Sequence, residues 1–230
     1  MHDRAKRMTL SIPDSVYVDF EWTKHQELYL VGIYSKKTGY RAMWASDLSS
    51  AAQRRLVECV HERVKDEHVV FYHAELSFWT SLCQRLGLAQ NGDDGKSLGF
   101  GKSCVDLRAI FWDGPTIVRN CFTTRLKEIA QSFRDNGLLE CAPPEECATG
   151  MASLAMAEQI YAIPSPVPSP LREKQKALLE EYNAFDCQVL SDIHDILLRH
   201  ARGEDTRRRG IAGPVGAFVD SRAAVGAVQE

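Results

Sequence analysis

The sequence predicts an α/β protein with a mixed central sheet flanked by helices, and three observations support this fold class. β-Branched and aromatic runs with short connections lie near the N-terminus. A helical pattern and another short apolar run follow them, as expected for a crossover and a parallel strand. The second half contains longer segments with apolar residues at helical spacing. Strands followed by alternating helix and strand are typical of an α/β fold.

The composition is that of an ordinary globular protein. The chain has 230 residues, 44% hydrophobic and 26% charged, which is enough for one large domain or two small ones. We expect a flexible arm over residues 1–13, one domain over 14–201 and a disordered tail over 202–230. No run approaches the ~18 apolar residues of a membrane span, and the N-terminus lacks the apolar core of a secretory signal. We therefore expect an intracellular protein, cytoplasmic or nuclear, with no membrane contact.

Cysteine content and charge restrict the function classes further. The seven cysteines have no regular spacing, which favours reduced thiols over a disulfide framework and offers no zinc motif. A formal net charge of −3 gives no general affinity for polyanions. Any contact with nucleic acid must therefore be local or bridged by a metal ion.

The first predicted strand, Ser15–Trp22, carries two carboxylates. Side chains alternate in a strand, so Val16, Val18, Phe20 and Trp22 share one face, and Tyr17, Asp19 and Glu21 share the other. Adjacent acids on an interior strand repel each other, and a bound Mg²⁺ or Mn²⁺ ion would compensate their charge. The alternative is an edge strand with a hydrated polar face, because Asp-x-Glu is common by chance.

The next elements complete the first half of the sheet. Two further strands are predicted on either side of a turn at Lys36–Gly39, and a short strand follows a helix. The strands are predicted at Glu27–Ser35, Tyr40–Ala45 and His68–His73. The helix spans Ala51–Lys65, and Ser49 or Ser50 is expected to cap it.

The middle of the chain alternates helices with loops. A helix over residues 75–87 has an apolar stripe, and a glycine-rich loop without a phosphate-loop lysine pattern follows at 91–101. The stripe comprises Leu76, Trp79, Leu82, Cys83 and Leu86. The predicted elements after the loop are a strand or strand-turn at Cys104–Trp112, a helix from Thr123 or Thr124 to Asn136-Gly137, a helix at Pro143–Tyr161 and a stiff segment with four prolines at 164–170.

The last predicted helix runs from Leu171 to Ala201 and has an acid in its core-facing row. The row comprises Leu179, Tyr182, Asp186, Val189, Leu190, Ile193 and Leu197. Tyr182 and Asp186 are four residues apart, so they lie one turn apart on the same face. The whole order of elements is that of a ribonuclease H-like fold, although fold order alone proves no activity.

Three acidic regions now carry a family resemblance. Asp19-Phe-Glu21 on the first strand, an acid after the fourth strand and Tyr182-Asn-Ala-Phe-Asp186 on the last helix resemble the DEDD 3′-5′ exonucleases of the ribonuclease H-like superfamily. The Tyr-x-x-x-Asp form resembles the tyrosine branch, DEDDy, and the resemblance covers residues 15–200. The runs Arg125–Ala130, Tyr72–Glu75 and Gly150–Glu158 are also loosely similar to exonuclease-like proteins of large DNA viruses, so the protein could act inside a host cell.

The resemblance implies removal of nucleotides from the 3′ end of DNA or RNA by a mechanism that uses two Mg²⁺ or Mn²⁺ ions. By position, Asp19, Glu21 and Asp186 are the implied metal ligands. The implied role of Tyr182 is to orient the attacking water through its hydroxyl. The implied substrate is a single-stranded or frayed 3′ end.

The sequence departs from the family pattern at the second acidic region. The family has Asn, three residues, then Asp, whereas this chain has His73-Ala-Glu75-Leu-Ser77 with Ser77 at the Asp position. We assign Glu75 as the remaining metal ligand and catalytic acid; alternatively, Glu75 only complements the positive end of a helix dipole. Asp106 is a competing candidate for that ligand position.

The remaining candidates each have a functional and a structural interpretation. His73, Arg125 and Lys127 are predicted to contact substrate phosphates, or else to be a hydrogen-bonded histidine and a solvated helix face. Phe78 and Trp79 could stack on a terminal base, although the stripe favours a core position for Trp79. Asn183 could contact the edge of the site, but we expect it to face away from the Tyr182 row. The arginines at 207–209 could bind a nucleic-acid backbone or belong to a soluble tail.

Two classes of function therefore remain in view. The first is a metal-dependent 3′-5′ exonuclease. The second, suggested by Ser77, is a catalytically weak or inactive module that binds nucleic acid or a partner protein. A related endonuclease or transposase is disfavoured by the Tyr182 and Asp186 pairing.

Overall fold

The computed structural model describes residues 14–88, 98–113, 116–144, 150–162, 169–202 and 211–212. The predicted arm, most of the glycine-rich loop, the proline segment up to 168 and the arginines at 207–209 lie outside these residues. The chain divides into two compact units. The sheet unit comprises Asp14–Cys104 and Cys141–Ser191, and the second unit includes Val105–Glu140 and the chain from Asp192 onward.

A five-stranded mixed sheet is the centre of the sheet unit. Its strands are β1 Val16–Trp22, β2 Leu28–Ser35, β3 Gly39–Trp44, β4 His68–Phe71 and β5 Ser103–Asp106, in the order β3-β2-β1-β4-β5. β1 is antiparallel to β2, β2 is antiparallel to β3, and β1 is parallel to β4. The predicted α/β class and the ribonuclease H-like strand arrangement are therefore confirmed.

Six helices and a second small sheet complete the described elements. The helices are α1 Ser50–Val64, α2 Glu75–Arg85, α3 Leu107–Trp112, α4 Leu126–Asp135, α5 Gly150–Ala162 and α6 Pro170–Ala201. β6 Ile117–Val118 pairs antiparallel with β7 Ile211–Ala212. At these two residues of the predicted disordered tail, the chain forms a short strand instead. None of the helices in the described ranges is long and apolar enough to cross a membrane.

The two faces of the sheet pack against different helices. On one face, side chains of β1 and β4 join α1 and α2 in a core that includes Val18, Phe20, Val57 and Trp79. On the other face, Tyr29 and Leu30 pack with residues of α5 and α6. In the second unit, Leu107, Ile110, Ile129 and Phe133 are buried, and the rings of Phe111 and Phe133 meet edge to face.

Several element predictions need correction, each for a local reason. The residues expected to extend a strand to Trp112 form α3 instead, because the Asp106 side chain accepts a hydrogen bond from the Arg108 amide and caps that helix. Pro143 does not begin a helix, since Pro144 disfavours helical backbone at the residue before it, and α5 begins at Gly150.

Two helix ends also differ from the prediction. The N-cap residue of α4 is Arg125 rather than a threonine, although the Thr123 hydroxyl accepts a hydrogen bond from the Arg125 amide. In α2, Leu76 is 40% exposed and Phe78 takes a buried place that the predicted stripe did not include. Ser49, one of the two residues proposed for the role, caps α1.

Candidate functional site

The strand β1 separates an apolar face from an acidic one. Val16, Val18 and Phe20 are buried in the core shared with α1 and α2, as the alternation predicts. Asp19 and Glu21 point to the opposite side, where α5 and α6 pack. The alternative prediction, that β1 is an edge strand, is wrong, because β1 is paired on both sides, with β2 and with β4.

Three carboxylates meet at this face. Asp19 and Glu21 from β1 and the buried Asp186 from α6 each offer an oxygen, and these oxygens all lie within 4.8 Å of one another. We call Asp19, Glu21 and Asp186 the acidic group. The predicted proximity of the first strand and the last helix is confirmed. Two like charges about 4 Å apart repel by roughly 4 kcal/mol at an effective dielectric constant of 20, so the group favours a bound cation or a shared proton.

The helix α6 delivers Asp186 through its buried stripe. Leu179, Tyr182, Val189 and Leu190 are all buried, so the helical row predicted from the sequence is confirmed within the sheet unit. Tyr182 lies one turn before Asp186 on this row. A methyl group built on Gly150, the first residue of α5, would lie 3.7 Å from the Tyr182 hydroxyl. The hydroxyl therefore lies close to the start of α5.

A β-bulge aims a tyrosine at Glu21. Glu21 pairs with Leu30 but the next residue, Trp22, pairs with Leu28, so Tyr29 is an extra residue in β2. An extra residue reverses the alternation, which brings Tyr29 and Leu30 to the same side of the sheet. The Tyr29 hydroxyl donates to Glu21 Oε2 at 3.2 Å. Burial and then the charge of Glu21 raise the pKa of Tyr29 far above its usual value, so the hydroxyl keeps its proton.

A serine on α5 also contacts this carboxylate. The Ser153 hydroxyl lies 3.2 Å from Glu21 Oε2 and 2.9 Å from the Gly150 carbonyl oxygen, and its side chain is almost completely buried. Its single hydrogen is shared between these two acceptors. The first turn of α5 thus contacts the acid on β1 through Ser153, and its first residue, Gly150, lies close to the Tyr182 hydroxyl.

Asp19 is held by an amide from α6. Asn183 Nδ2 donates to Asp19 Oδ2 at 2.7 Å, and Asn183 Oδ1 accepts from the Tyr40 hydroxyl at 2.9 Å. Asn183 is completely buried. Burial also raises the pKa of the Tyr40 hydroxyl far above its usual value. The Cys187 thiol nearby has a raised pKa, first because it is buried and then because of the charges of Asp19 and Asp186.

Sequence reasoning missed most of these supporting side chains. Tyr29, Tyr40 and Ser153 were not candidates, and no local motif marks them. Asn183 was a possible contact at the edge of the site that we expected to face away from the Tyr182 row; instead its amide donates to Asp19. Successive helical residues are about 100° apart, so Tyr182 and Asn183 both reach the sheet when the buried face of α6 is wide.

The second acidic region does not join the acidic group. Glu75 is buried as the first residue of α2, but it is not among the three acids whose oxygens lie together. α2 places its other buried side chains on the opposite face of the sheet. Ser77 is exposed, and its hydroxyl donates to the Ala74 carbonyl oxygen at 2.8 Å. The role of Glu75 as a metal ligand stays a prediction.

His73 lies between β4 and α2. It is exposed, and its backbone φ of 76° is in the left-handed region that residues other than glycine rarely adopt. Its role toward substrate stays a prediction. Phe78 is buried and stacks on Trp22 with ring centroids 4.4 Å apart, while Trp79 is completely buried. Both aromatic residues are therefore core residues rather than a surface for a base.

Three further candidates belong to the second unit. Asp106 is the N-cap of α3 and lies outside the acidic group, so a role as a metal ligand stays a prediction. Arg125 is highly exposed and pairs with Glu128 at 3.3 Å, and Lys127 is half-buried. Their predicted contacts with phosphates also stay predictions.

These observations define a class of site: an α/β sheet that presents three clustered carboxylates able to hold a metal ion. The donor set consists of carboxylate oxygens without cysteine or histidine, which suits hard cations such as Mg²⁺ or Mn²⁺ better than zinc.

Comparisons with known proteins show a structural likeness and no match in sequence. No family model and no curated protein sequence matches the chain. Among solved structures, the chain is similar to the family B DNA polymerase from the hyperthermophilic archaeon Pyrobaculum calidifontis, with 15% identity over 81% of this chain and a TM-score of 0.49. The match spans 25% of the length of that polymerase chain.

Proposed function

We propose that this protein is a metal-dependent 3′-5′ exonuclease that hydrolyses phosphodiester bonds at the 3′ end of DNA or RNA. The observation that carries the proposal is the acidic group, in which one strand and a distant helix bring three carboxylate oxygens within 4.8 Å. Tyr182, one helical turn before Asp186, lies on the same buried row of α6. The same residues underlie the resemblance to the tyrosine branch of the DEDD exonucleases.

The proposal assigns the candidate residues to three roles: metal ligands, orientation of the attacking water, and binding of substrate phosphates. Asp19, Glu21 and Asp186 would hold the cations, with Glu75 as the predicted fourth ligand. When bound, two divalent cations activate an attacking water and stabilise the leaving 3′ oxygen. The Tyr182 hydroxyl orients the water as a hydrogen-bonding group, a role that needs no lowered pKa. His73, Arg125 and Lys127 are proposed to hold substrate phosphates.

The direct test uses oligonucleotides labelled at the 5′ end, both DNA and RNA, with Mg²⁺ or Mn²⁺. The expected result is a ladder of products shortened from the 3′ end, which Asp19→Ala abolishes because the substitution removes a ligand. Asp66→Ala is the matched control, since Asp66 is an exposed acid beyond the end of α1. The proposal fails if no substrate shortens with either cation, or if Asp19→Ala cuts as fast as the wild type.

A second candidate function is a module that binds nucleic acid or a partner protein without cutting. The observation that favours it is that Glu75 lies outside the acidic group, while Ser77 offers no carboxylate at the family's position. Calorimetric titration with Mn²⁺ separates the two candidates. An exonuclease binds Mn²⁺ in a way that Asp186→Ala abolishes, whereas an inert scaffold gives no carboxylate-dependent heat.

A further inference from the structure

One hydrogen-bond network in the sheet unit contacts the acidic group at Asp19. It joins β1, β3 and α6 through four side chains, those of Asp19, Tyr40, Asn183 and Cys187. Gly32 on β2 lies against Asn183 and Cys187 but takes no part in the hydrogen bonds. The central residue of the network is Asn183, which the sequence resemblance leaves without any role. We propose that Asn183 is a positioning residue that fixes the Asp19 carboxylate for metal binding. Gly32 makes this possible, because its missing side chain leaves the space that the Asn183 amide occupies.

The first argument concerns space. Asp19 and Gly32 are direct partners in the antiparallel pairing of β1 with β2. A side chain at the partner position would lie about 5 Å from the Asp19 side chain on the same face. Glycine leaves this place empty, and the Asn183 amide fills it: a Cβ on Gly32 would lie only 1.7 Å from Asn183 Oδ1 and 2.9 Å from the Cys187 sulfur.

The second argument concerns the direction of the amide. An ionised carboxylate only accepts hydrogen bonds, so the NH₂ group of Asn183 must face Asp19. Its oxygen then faces Tyr40, whose hydroxyl donates to it at 2.9 Å. Burial raises the pKa of the Tyr40 hydroxyl, so this donor keeps its proton. Tyr40 therefore stabilises the amide orientation that the Asp19 carboxylate requires.

The third argument concerns the carboxylate. Asn183 donates to Asp19 Oδ2 at 2.7 Å, a short bond to a charged acceptor, and weakly to the Asp19 carbonyl oxygen at 3.4 Å. A carboxylate has about four lone-pair sites on two oxygens, so one such bond leaves acceptor capacity for a cation. The bond holds the orientation of the side chain and offsets part of the repulsion within the acidic group. Partners of this kind behind a metal ligand tune its affinity.

The experiment measures Mn²⁺ affinity by calorimetry together with the melting temperature of the metal-free protein. This inference rests on the proposed function, since it assumes that Asp19 binds a cation. In Asn183→Ala we expect Mn²⁺ affinity to fall by about 10- to 100-fold. In Tyr40→Phe we expect a smaller fall, because the amide still donates to Asp19 but loses the hydrogen bond that holds its oxygen.

The matched control is Val57→Ala. Val57 is completely buried on α1, which packs on the opposite face of the sheet. It is expected to lower the melting temperature and to leave Mn²⁺ affinity unchanged, so a merely structural effect is separated from positioning. The inference is overturned if Asn183→Ala binds Mn²⁺ within twofold of the wild type, or if Val57→Ala weakens binding equally.

Three remaining outcomes are also decisive. If Asn183→Ala does not fold, Tyr40→Phe decides, and an unchanged Mn²⁺ affinity there overturns the inference. If the wild type binds no Mn²⁺, the proposed function fails together with this inference. If the wild type binds Mn²⁺ and cuts while the Asn183 and Tyr40 variants match it, only the positioning role fails.

Discussion

On one face of the five-stranded sheet, α1 and α2 pack against strand side chains that are hydrocarbon, including Val18 and Phe20. On the other face, α5 and α6 pack against a surface that includes Asp19 and Glu21. Hydroxyl and amide groups from Tyr29, Ser153 and Asn183 contact these acids. Both faces are well packed, and in the described residues the second face adds hydrogen bonds from hydroxyl and amide side chains to carboxylates.

The comparison separates two contributions of one strand. Burial of apolar area is non-directional and stabilises the fold in proportion to the area removed from water. Hydrogen bonds contribute only about 1 kcal/mol each to stability, yet they fix the orientation of the groups they join. We therefore expect substitutions on the α1 and α2 face to change the free energy of unfolding, and substitutions on the acidic face to change cation affinity.

The largest expected effect on stability is at Trp79, on the apolar face. Its ring lies 5.2 Å from that of Phe100 and 5.9 Å from that of Phe20, and its indole nitrogen donates to the Leu98 carbonyl oxygen. Trp79→Ala should lower the free energy of unfolding by about 3–5 kcal/mol, measured by urea denaturation. Mn²⁺ affinity of the remaining folded protein should not change. If Trp79→Ala lowered Mn²⁺ affinity without lowering stability, the proposed difference between the apolar face and the acidic face would be wrong.

At Gly32 we expect a smaller loss of stability than at Trp79, together with a loss of Mn²⁺ affinity. The added methyl group of Gly32→Ala would collide with Asn183 Oδ1 and must displace the amide from Asp19. Such overpacking costs about 1–3 kcal/mol, and Mn²⁺ affinity should fall with it.

Gly39→Ala serves as the control for Gly32→Ala. Gly39 has a φ of 71° and no atom within 4 Å of an added Cβ, so the substitution strains the backbone without touching the acids. It should lower stability and leave Mn²⁺ affinity unchanged. Equal affinity losses in the two glycine variants, measured by calorimetry, would show that the clash with Asn183 is irrelevant.

The smallest change in stability is expected at Tyr29. Tyr29→Phe removes only the hydroxyl that donates to Glu21, so stability should fall by about 0.5–1.5 kcal/mol. Mn²⁺ affinity should fall by about tenfold, because Glu21 loses an orienting partner. Tyr161→Phe is the matched control on the same face, since the Tyr161 hydroxyl donates to the Ala45 carbonyl oxygen instead. Identical Mn²⁺ affinity in both variants would contradict the role given to Tyr29.

Local patterns were enough for the main elements. The alternation in β1 placed Phe20 in the core and Asp19 on the other face, and the spacing in α6 placed Tyr182 and Asp186 on one buried row. These patterns follow from the periods of the strand and the helix, which any short window of sequence reveals. Helix ends were less predictable, because Asp106 both ends β5 and caps α3, and the local pattern did not mark this change from strand to helix.

The supporting contacts could not be predicted in the same way. Asn183 and Asp19 are 164 residues apart, and Ser153 and Glu21 are 132 residues apart. No local period relates such pairs. Tyr29 reaches Glu21 only because of a bulge, which one extra residue creates and which no pattern in β2 announces. Glu75 has the right chemistry and a strand-to-helix position, yet it lies outside the acidic group.

By itself, the sequence determined the order of the main strands and helices and the faces on which Asp19, Glu21 and Asp186 lie, because both are set by the backbone periods and by the burial of apolar side chains. Only the tertiary structure decided which groups surround the acids. Those contacts depend on the pairing register of β1 with β2, on the empty place beside Asp19 that Gly32 leaves, and on the close approach of α6 to the sheet. Such distances of a few ångströms arise when the whole core packs.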